Sequence, residues 1–217
     1  MNDKNDVVRI TRHTYDQMAC DYSSMVSELV SDSWVGKFEQ NLLDDFLSMT
    51  GAMNPHVLDI GCGNGKDTEY LRQRGASVVG IDYSHGMLEE ARKRINEGII
   101  CQMDMRNLGF SDRAFDGVWA NGCIYHVPKN SLFLVLGELL RVLTHSGILS
   151  FNFKIGVGEQ LEEVPRSFQR GPRFYAYYKV DEIEKSLRGA GFEILRVQNY
   201  PKQIFNEEIA QIWAYPD

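Results

Sequence analysis

Three glycines and two aspartates, set close together, carry the plainest chemistry in this sequence. The chain reads H-V-L-D-I-G-C-G-N-G-K-D from residue 56 and V-V-G-I-D-Y from residue 78. Gly61, Gly63 and Gly65 let a strand turn into a helix within a few residues, because glycine accepts positive φ and close backbone approach. A loop bare of side chains also offers main-chain N–H groups to a ligand at a helix N-terminus. Asp82 ends the second apolar run, and a carboxylate at a strand tip can accept hydrogen bonds from both hydroxyls of a ribose. It lies 23 positions after Asp59 and 21 after Gly61, near the spacing of nucleotide-binding βαβ units.

The glycine spacing discriminates between ligands. A dinucleotide fingerprint is G-x-G-x-x-G, which makes room for a pyrophosphate. Here the spacing is G-x-G-x-G, with Asp59 two residues ahead of it. An acid at the strand end repels a pyrophosphate and suits a ligand bearing an ammonium or sulfonium. The pattern D-x-G-x-G-x-G, followed by V-V-G-I-D-Y-S, resembles the motifs of class I S-adenosylmethionine-dependent methyltransferases. The resemblance implies a Rossmann-like α/β fold: a seven-stranded, mostly parallel sheet with an antiparallel last strand and helices on both faces. It implies S-adenosylmethionine as cofactor and S-adenosylhomocysteine as product.

The resemblance also distributes roles. Asp59, Gly61, Gly63 and Asp82 belong to the cofactor site, with Cys62 a small filler inside the loop. Tyr83, the residue after the acid, stacks on adenine, and Met87 adds an apolar contact or simply packs in the core. Asp104 and Met105 fall where a carboxylate and the next N–H meet the adenine edge; alternatively Asp104 makes a local turn. Asn121, which the resemblance adds to the cofactor site, opens the loop after the fourth strand, A-N-G-C-I-Y-H-V-P, which lies where open α/β sheets do chemistry. That loop lacks the prolines of DNA amino-methyltransferases. Its His126 is a candidate general base, since imidazole titrates near neutrality, or else a structural hydrogen-bonder.

These residues need elements to hold them. Strands are expected over 57–60, 78–81, 99–103 and 115–120, with helices over 66–74, 85–96 and 129–143. Ser84 is a good N-cap for the second of these helices. A fifth strand follows R-V-L-T-H-S-G, which resembles the family's R-V-L-K-P-G-G but has His145-Ser146 in place of Pro-Gly at the turn, with only Gly147 kept. A helix over 181–189 and strands over 190–197 and 207–215 complete the sheet. Upstream, residues 1–12 read as a frayed tail, and a helix starts at Thr14 or Asp16 with Tyr15, Met18, Ala19 and Tyr22 on one face. Y-D-Q-M-A-C-D-Y resembles an entrance helix that lies over the cofactor in small-molecule methyltransferases, giving Tyr15 a cofactor role and Tyr22 an acceptor-orienting one. As plain helix-face aromatics, both would pack on the sheet. A second helix is expected over 34–49.

Residues 156–180 are the least regular. From Pro165 to Lys179 the chain is basic and aromatic and has no acid, a local reversal in an acidic protein. Arg166, Arg170, Arg173 and Tyr175 suit a wall against a small substrate with an aromatic or apolar body and an anionic group. The other reading is a solvated loop with an edge strand. The organisation is therefore one domain over 1–217: a helical lid (1–50), a cofactor-binding core (51–155), a substrate-covering insertion (156–180) and a terminal helix with strands (181–217).

The bulk composition excludes some classes of protein. The chain has 217 residues, a net charge of −7 and a pI near 5.3, so a dedicated nucleic-acid binder is disfavoured. Its four cysteines include no C-x-x-C pair, which indicates neither zinc nor a disulfide framework. The polar N-terminus is no signal peptide, and no apolar run is long enough to span a membrane. The expectation is a cytoplasmic protein acting on a small molecule without a metal. A non-catalytic cofactor-binding protein shares the same motifs; a nicotinamide-dependent oxidoreductase is disfavoured by the glycine spacing.

Overall fold

The computed structural model describes residues 4–30, 33–96, 98–163, 171–200 and 208–217. Numbered in chain order, the helices are α1 (Lys4–Val30), α2 (Trp34–Met49), α3 (Lys66–Gln73), α4 (His85–Arg94), α5 (Lys129–Val142) and α6 (Val180–Gly189). The strands are β1 (His56–Ile60), β2 (Ser77–Asp82), β3 (Ile99–Gln102), β4 (Phe115–Ala120), β5 (Leu143–Ile155), β6 (Glu159–Glu163), β7 (Pro172–Tyr178), β8 (Phe192–Asn199) and β9 (Ile209–Pro216).

The central order is β3-β2-β1-β4-β5, all parallel. β9 runs antiparallel between β5 and β8. These seven strands are the expected Rossmann-like sheet with its antiparallel last strand. Strand order reverses between β1 and β4, so the carboxyl ends of β1, β2 and β4 frame the crevice where such sheets take ligands.

Alternate residues along each strand feed opposite faces. Leu58, Val118 and Phe151 pack with Leu136 and Leu139 of α5 and Leu187 of α6. Val57, Trp119 and Trp213 pack on the other side with Leu43 and Phe46 of α2 and Leu71 of α3. Each such fully buried apolar side chain contributes about 1.5–3 kcal/mol by area. The rigid sheet thus formed holds the loops at its carboxyl edge.

Two expectations are corrected. Residues 1–12 are not a free tail from residue 4 onward: α1 starts at Lys4. Val7 packs against the core, and the buried Thr11 and Thr14 bond to the edge of β7, so tertiary contacts carry the helix past its weak N-terminal sequence. Residues 156–180 are not irregular where described. They form the β6–β7 hairpin, which extends the sheet because β7 pairs in parallel with β5 at Lys154 and Ile155. The aromatic run lies in β7, where Phe174, Tyr175, Ala176 and Tyr178 are buried. Arg166 and Arg170 lie outside the described residues.

Candidate functional site

A cavity of about 400 Å³ opens along the carboxyl edge of the sheet, within the range of small-molecule sites. The glycine loop forms its floor. Gly61 has φ +67°, and a Cβ there would lie 2.4 Å from Cys123 Cβ. Gly63 has φ +56°, and a Cβ there would meet Met87 Cε at 3.2 Å. The loop is therefore a cradle in which side chains are excluded by both backbone conformation and space. Cys62 is buried in the loop and still reaches the cavity wall.

Asp82 stands at the tip of β2 beside this cradle. Its Oδ2 accepts the Gly63 N–H at 2.9 Å and its Oδ1 accepts the Ser84 N–H at 2.8 Å. Burial pushes its carboxyl up to about 6, although those backbone N–H groups pull it down. Each oxygen keeps further acceptor capacity toward the cavity. Asp59 stands apart from the other expected cofactor residues. It is buried behind the loop rather than on the cavity wall, and Thr68 donates to it at 2.5 Å. Burial and then the neighbouring Asp67 push it up to about 8, which disfavours its charged form.

At one end of the cavity lie Tyr83, Met87, Asp104 and Met105. The Arg12 guanidinium, from α1, covers the Tyr83 ring 5.0 Å from its centroid. Asp104 accepts the Arg106 backbone N–H at 2.9 Å and its side chain at 2.6–3.1 Å. Burial raises Asp104, but Arg106 outweighs it and holds the carboxyl below its usual range. A base amino group approaching Asp104 thus competes with Arg106.

Asp16, expected as a possible helix cap, instead lies inside α1 and ties that helix to α4. Its Oδ1 accepts Ser84 Oγ–H at 2.7 Å and the Gly86 N–H at 3.1 Å, placing a carboxylate at the N-terminus of α4. Gly86 permits this approach, since a Cβ there would lie 2.7 Å from the Asp16 carbonyl oxygen.

The middle of the cavity holds charges that sequence reading missed. Lys66, at the start of α3, pairs with Glu39 of α2 at 2.9 Å and with Asp67 at 2.6 Å. Trp119 Nε1–H donates to Asp67 at 2.9 Å, and Asn121 and Tyr200 line the same region. Residues so distant in sequence give no local signal of their meeting.

The far end is aromatic and cationic. Tyr15, Tyr22, Tyr125, His126 and Tyr175 line it together with Lys154 and Arg173. Tyr15 and Tyr22 meet edge-to-face at 6.2 Å, and His126 and Tyr175 have ring centroids 4.9 Å apart. His126 Nδ1–H donates to the Phe174 carbonyl at 2.7 Å, leaving Nε2 to accept the Tyr15 hydroxyl at 2.9 Å. Burial lowers His126 to about 3; the Phe174 carbonyl opposes this, while Arg173 and Lys154 reinforce it. The expectation of titration near neutrality is therefore corrected, and the imidazole is neutral across the physiological range. Burial raises Tyr15 and Tyr22 above the ordinary phenol value. Among the described residues no group of three His, Cys, Asp or Glu side chains is placed for a metal ion, and no helix is long and apolar enough to cross a membrane.

Residues 58–151 match the family model described as "Methyltransferase domain". The chain is 30% identical over 158 residues to the methyltransferase GfsG of Streptomyces halstedii, covering 68% of this chain and 56% of the relative. It is 28% identical to the malonyl-[acyl-carrier protein] O-methyltransferase of Salmonella typhimurium, covering 70% and 60%. The chain thus spans somewhat over half the length of these curated relatives. In fold it is similar to the Burkholderia thailandensis 1,6-didemethyltoxoflavin-N1-methyltransferase, with a TM-score of 0.66 at 20% identity over 92% of this chain and 89% of that one. With the glycine cradle, the strand-tip aspartate and the sheet order in place, residues 58–151 form a methyltransferase domain on the Rossmann-like fold of the class I S-adenosylmethionine-dependent methyltransferases.

Proposed function

We propose that this protein transfers a methyl group from S-adenosylmethionine to a small molecule whose body is aromatic or apolar and which carries an anionic group. The observation that carries the proposal is one continuous cavity with the glycine cradle and Asp82 at one side and a tyrosine-lined, cationic wall at the other. When bound, S-adenosylmethionine supplies a methyl group already activated on a sulfonium.

In this reading Asp82 accepts the ribose hydroxyls, and Tyr83 and Met87 hold the adenine with Met105 at its edge. Asn121, Glu39 and Lys66 face the amino-acid part, the last two offering one charge of each sign to a zwitterion. Tyr15 closes α1 over the junction, and Tyr22, Tyr175 and Arg173 contact the acceptor. The protein's task is to align acceptor and methyl and to exclude water. His126 serves through Tyr15, which it holds by hydrogen bond, rather than as a free base near neutrality.

The test is product analysis. Purified protein, S-adenosylmethionine and a panel of small anionic aromatics should yield S-adenosylhomocysteine together with a methylated acceptor. Cofactor binding with no turnover on any acceptor would favour a non-catalytic binding protein instead.

A further inference from the structure

The sheet face covered by α2 is lined by apolar side chains, Ile148, Ile209 and Trp213 among them. Ser150, Asn152 and Gln211 interrupt it. The first two share that face of β5, and Gln211 stands opposite Asn152 in the β5–β9 register. All three are buried, Ser150 and Gln211 completely. Polar side chains so deep cost stability unless they are bonded, and these meet around one phenol.

Tyr200 directly follows β8 and is 5% exposed. Its N–H donates to the Ile209 carbonyl at 2.8 Å, and its ring meets Phe38 of α2 edge-on at 5.1 Å. Its hydroxyl lies 3.1 Å from Gln211 Oε1 and 3.3 Å from Asn121 Oδ1, and accepts from Asn152 Nδ2 at 3.5 Å. Gln211 Nε2–H donates to Ser150 Oγ at 2.8 Å, which turns the Gln211 carbonyl oxygen to the phenol. A phenol has one proton, so Gln211 and Asn121 share it.

From Asn121 the contacts reach the cavity. Its Oδ1 faces Tyr200, and its amide nitrogen donates to Asp67. Asp67 also accepts Trp119 Nε1–H and pairs with Lys66, which pairs with Glu39. Asn152 secures the same loop, since its Oδ1 accepts the Gly122 N–H at 2.7 Å. An Asn121 amide turned over by 180° has the same shape but sets its oxygen against the Asp67 carboxylate. Asp67 and the Tyr200 proton together select one orientation.

We infer that Tyr200 is a positioning residue of the cofactor site, acting through Asn121 and Asp67 on the Lys66–Glu39 pair. This deepens the proposed function and rests on its placing of Asn121, Lys66 and Glu39 against the amino-acid part of S-adenosylmethionine. The influence of Tyr200 is on that part, while the adenosine part rests on Asp82 and Tyr83.

The experiment titrates the full chain by calorimetry with S-adenosylhomocysteine and with 5′-deoxy-5′-methylthioadenosine, which keeps base, ribose and thioether and lacks the amino-acid part. Tyr200→Phe removes the hydroxyl and keeps the ring on Phe38. It should lower affinity for S-adenosylhomocysteine about 3–10-fold, the scale of one hydrogen bond, and leave affinity for the methylthioadenosine within about twofold. Asn121→Ala should show the same selective loss. The double variant should lose no more than about twofold beyond Asn121→Ala, because both substitutions break one path. Gln211→Met removes the competing acceptor and leaves the Tyr200 proton to Asn121, so it should bind S-adenosylhomocysteine as tightly as the unsubstituted protein or more tightly. Should Tyr200→Phe not fold, Asn121→Ala and Gln211→Met carry the test. A role in stability alone would lower Tm and leave both affinities of Tyr200→Phe unchanged. That result, equal losses for the two ligands, additive losses in the double variant, or weaker binding by Gln211→Met would overturn the inference and leave the cofactor site standing. An unsubstituted protein that binds both ligands equally, or neither, would overturn the underlying reading as well.

Discussion

In the proposed reading, Asp82 is the residue on which the cofactor site turns. Its carboxylate is held by two backbone N–H groups, so it is aimed before any ligand arrives. Asp82→Ala should weaken S-adenosylhomocysteine binding about 10–100-fold, the scale of one or two charged hydrogen bonds, as read by calorimetry. In the proposed reading ribose hydroxyls would bind the ionised form, and burial lifts the carboxyl to about 6. Affinity should therefore fall as pH drops below about 6, by at most tenfold per unit, and stay level above it. His126 lies far below neutrality and should add no limb to the pH profile between about 5.5 and 8. His126→Ala should raise the acceptor's KM by releasing Tyr15 and leave cofactor affinity unchanged, with His126→Gln milder; steady-state kinetics would show the split. The types and spacing of Gly61, Gly63 and Asp82 could be read from sequence because one βαβ unit holds all three. The environment of Asp59 and His126 could not. Burial shifts both against their charged forms, and burial of a single side chain is not written in the local sequence.

At the scale of elements, α1 joins the two halves of the cavity. Asp16 fixes it to the N-terminus of α4, while Thr14 donates to the Pro172 carbonyl at 2.7 Å and Thr11 accepts the Phe174 N–H at 2.9 Å on β7. In the proposed reading, the cofactor end and the acceptor end therefore share one covering helix. Asp16→Ala should speed amide exchange along α1 by about 5–30-fold, the equivalent of losing one or two kcal/mol of local stability. It should also lower affinity for S-adenosylhomocysteine, with far-UV circular dichroism little changed. Unaltered exchange would show that the lid is held by packing alone. Helices and strands with clear periodicity, such as 34–49 and 115–120, agree with the structure at both ends. The N-terminal half-turns of α1 and the β6–β7 hairpin were harder to read. Their order comes from each other, and a pairing between Thr11 and Phe174 leaves no mark in either local sequence.

Across the whole molecule, a single sheet carries the cradle on β1 and β2, the post-β4 loop and the Lys154 end of β5 along one edge. The acidic chain keeps two buried cations at that edge, so local charge opposes the net charge of −7 where the acceptor would bind. Because the ligand would be bound only by the folded state, S-adenosylhomocysteine at about 100 times its Kd should add about 2.7 kcal/mol of stability. For a chain of this size that corresponds to a rise in Tm of roughly 5–10 °C, measurable by scanning calorimetry. Sheet order and family could be anticipated because the motifs fall at strand ends. The charged pair Lys66–Glu39 and the Lys154–Arg173 wall depend on tertiary folding and could not. The most direct measurement is isothermal titration of the purified protein with S-adenosylhomocysteine, with NAD as control and Asp82→Ala in parallel. The account predicts saturable one-to-one binding of S-adenosylhomocysteine, a marked loss in Asp82→Ala, and no heat from NAD. Binding of NAD alone, or S-adenosylhomocysteine affinity untouched by loss of Asp82, would contradict it.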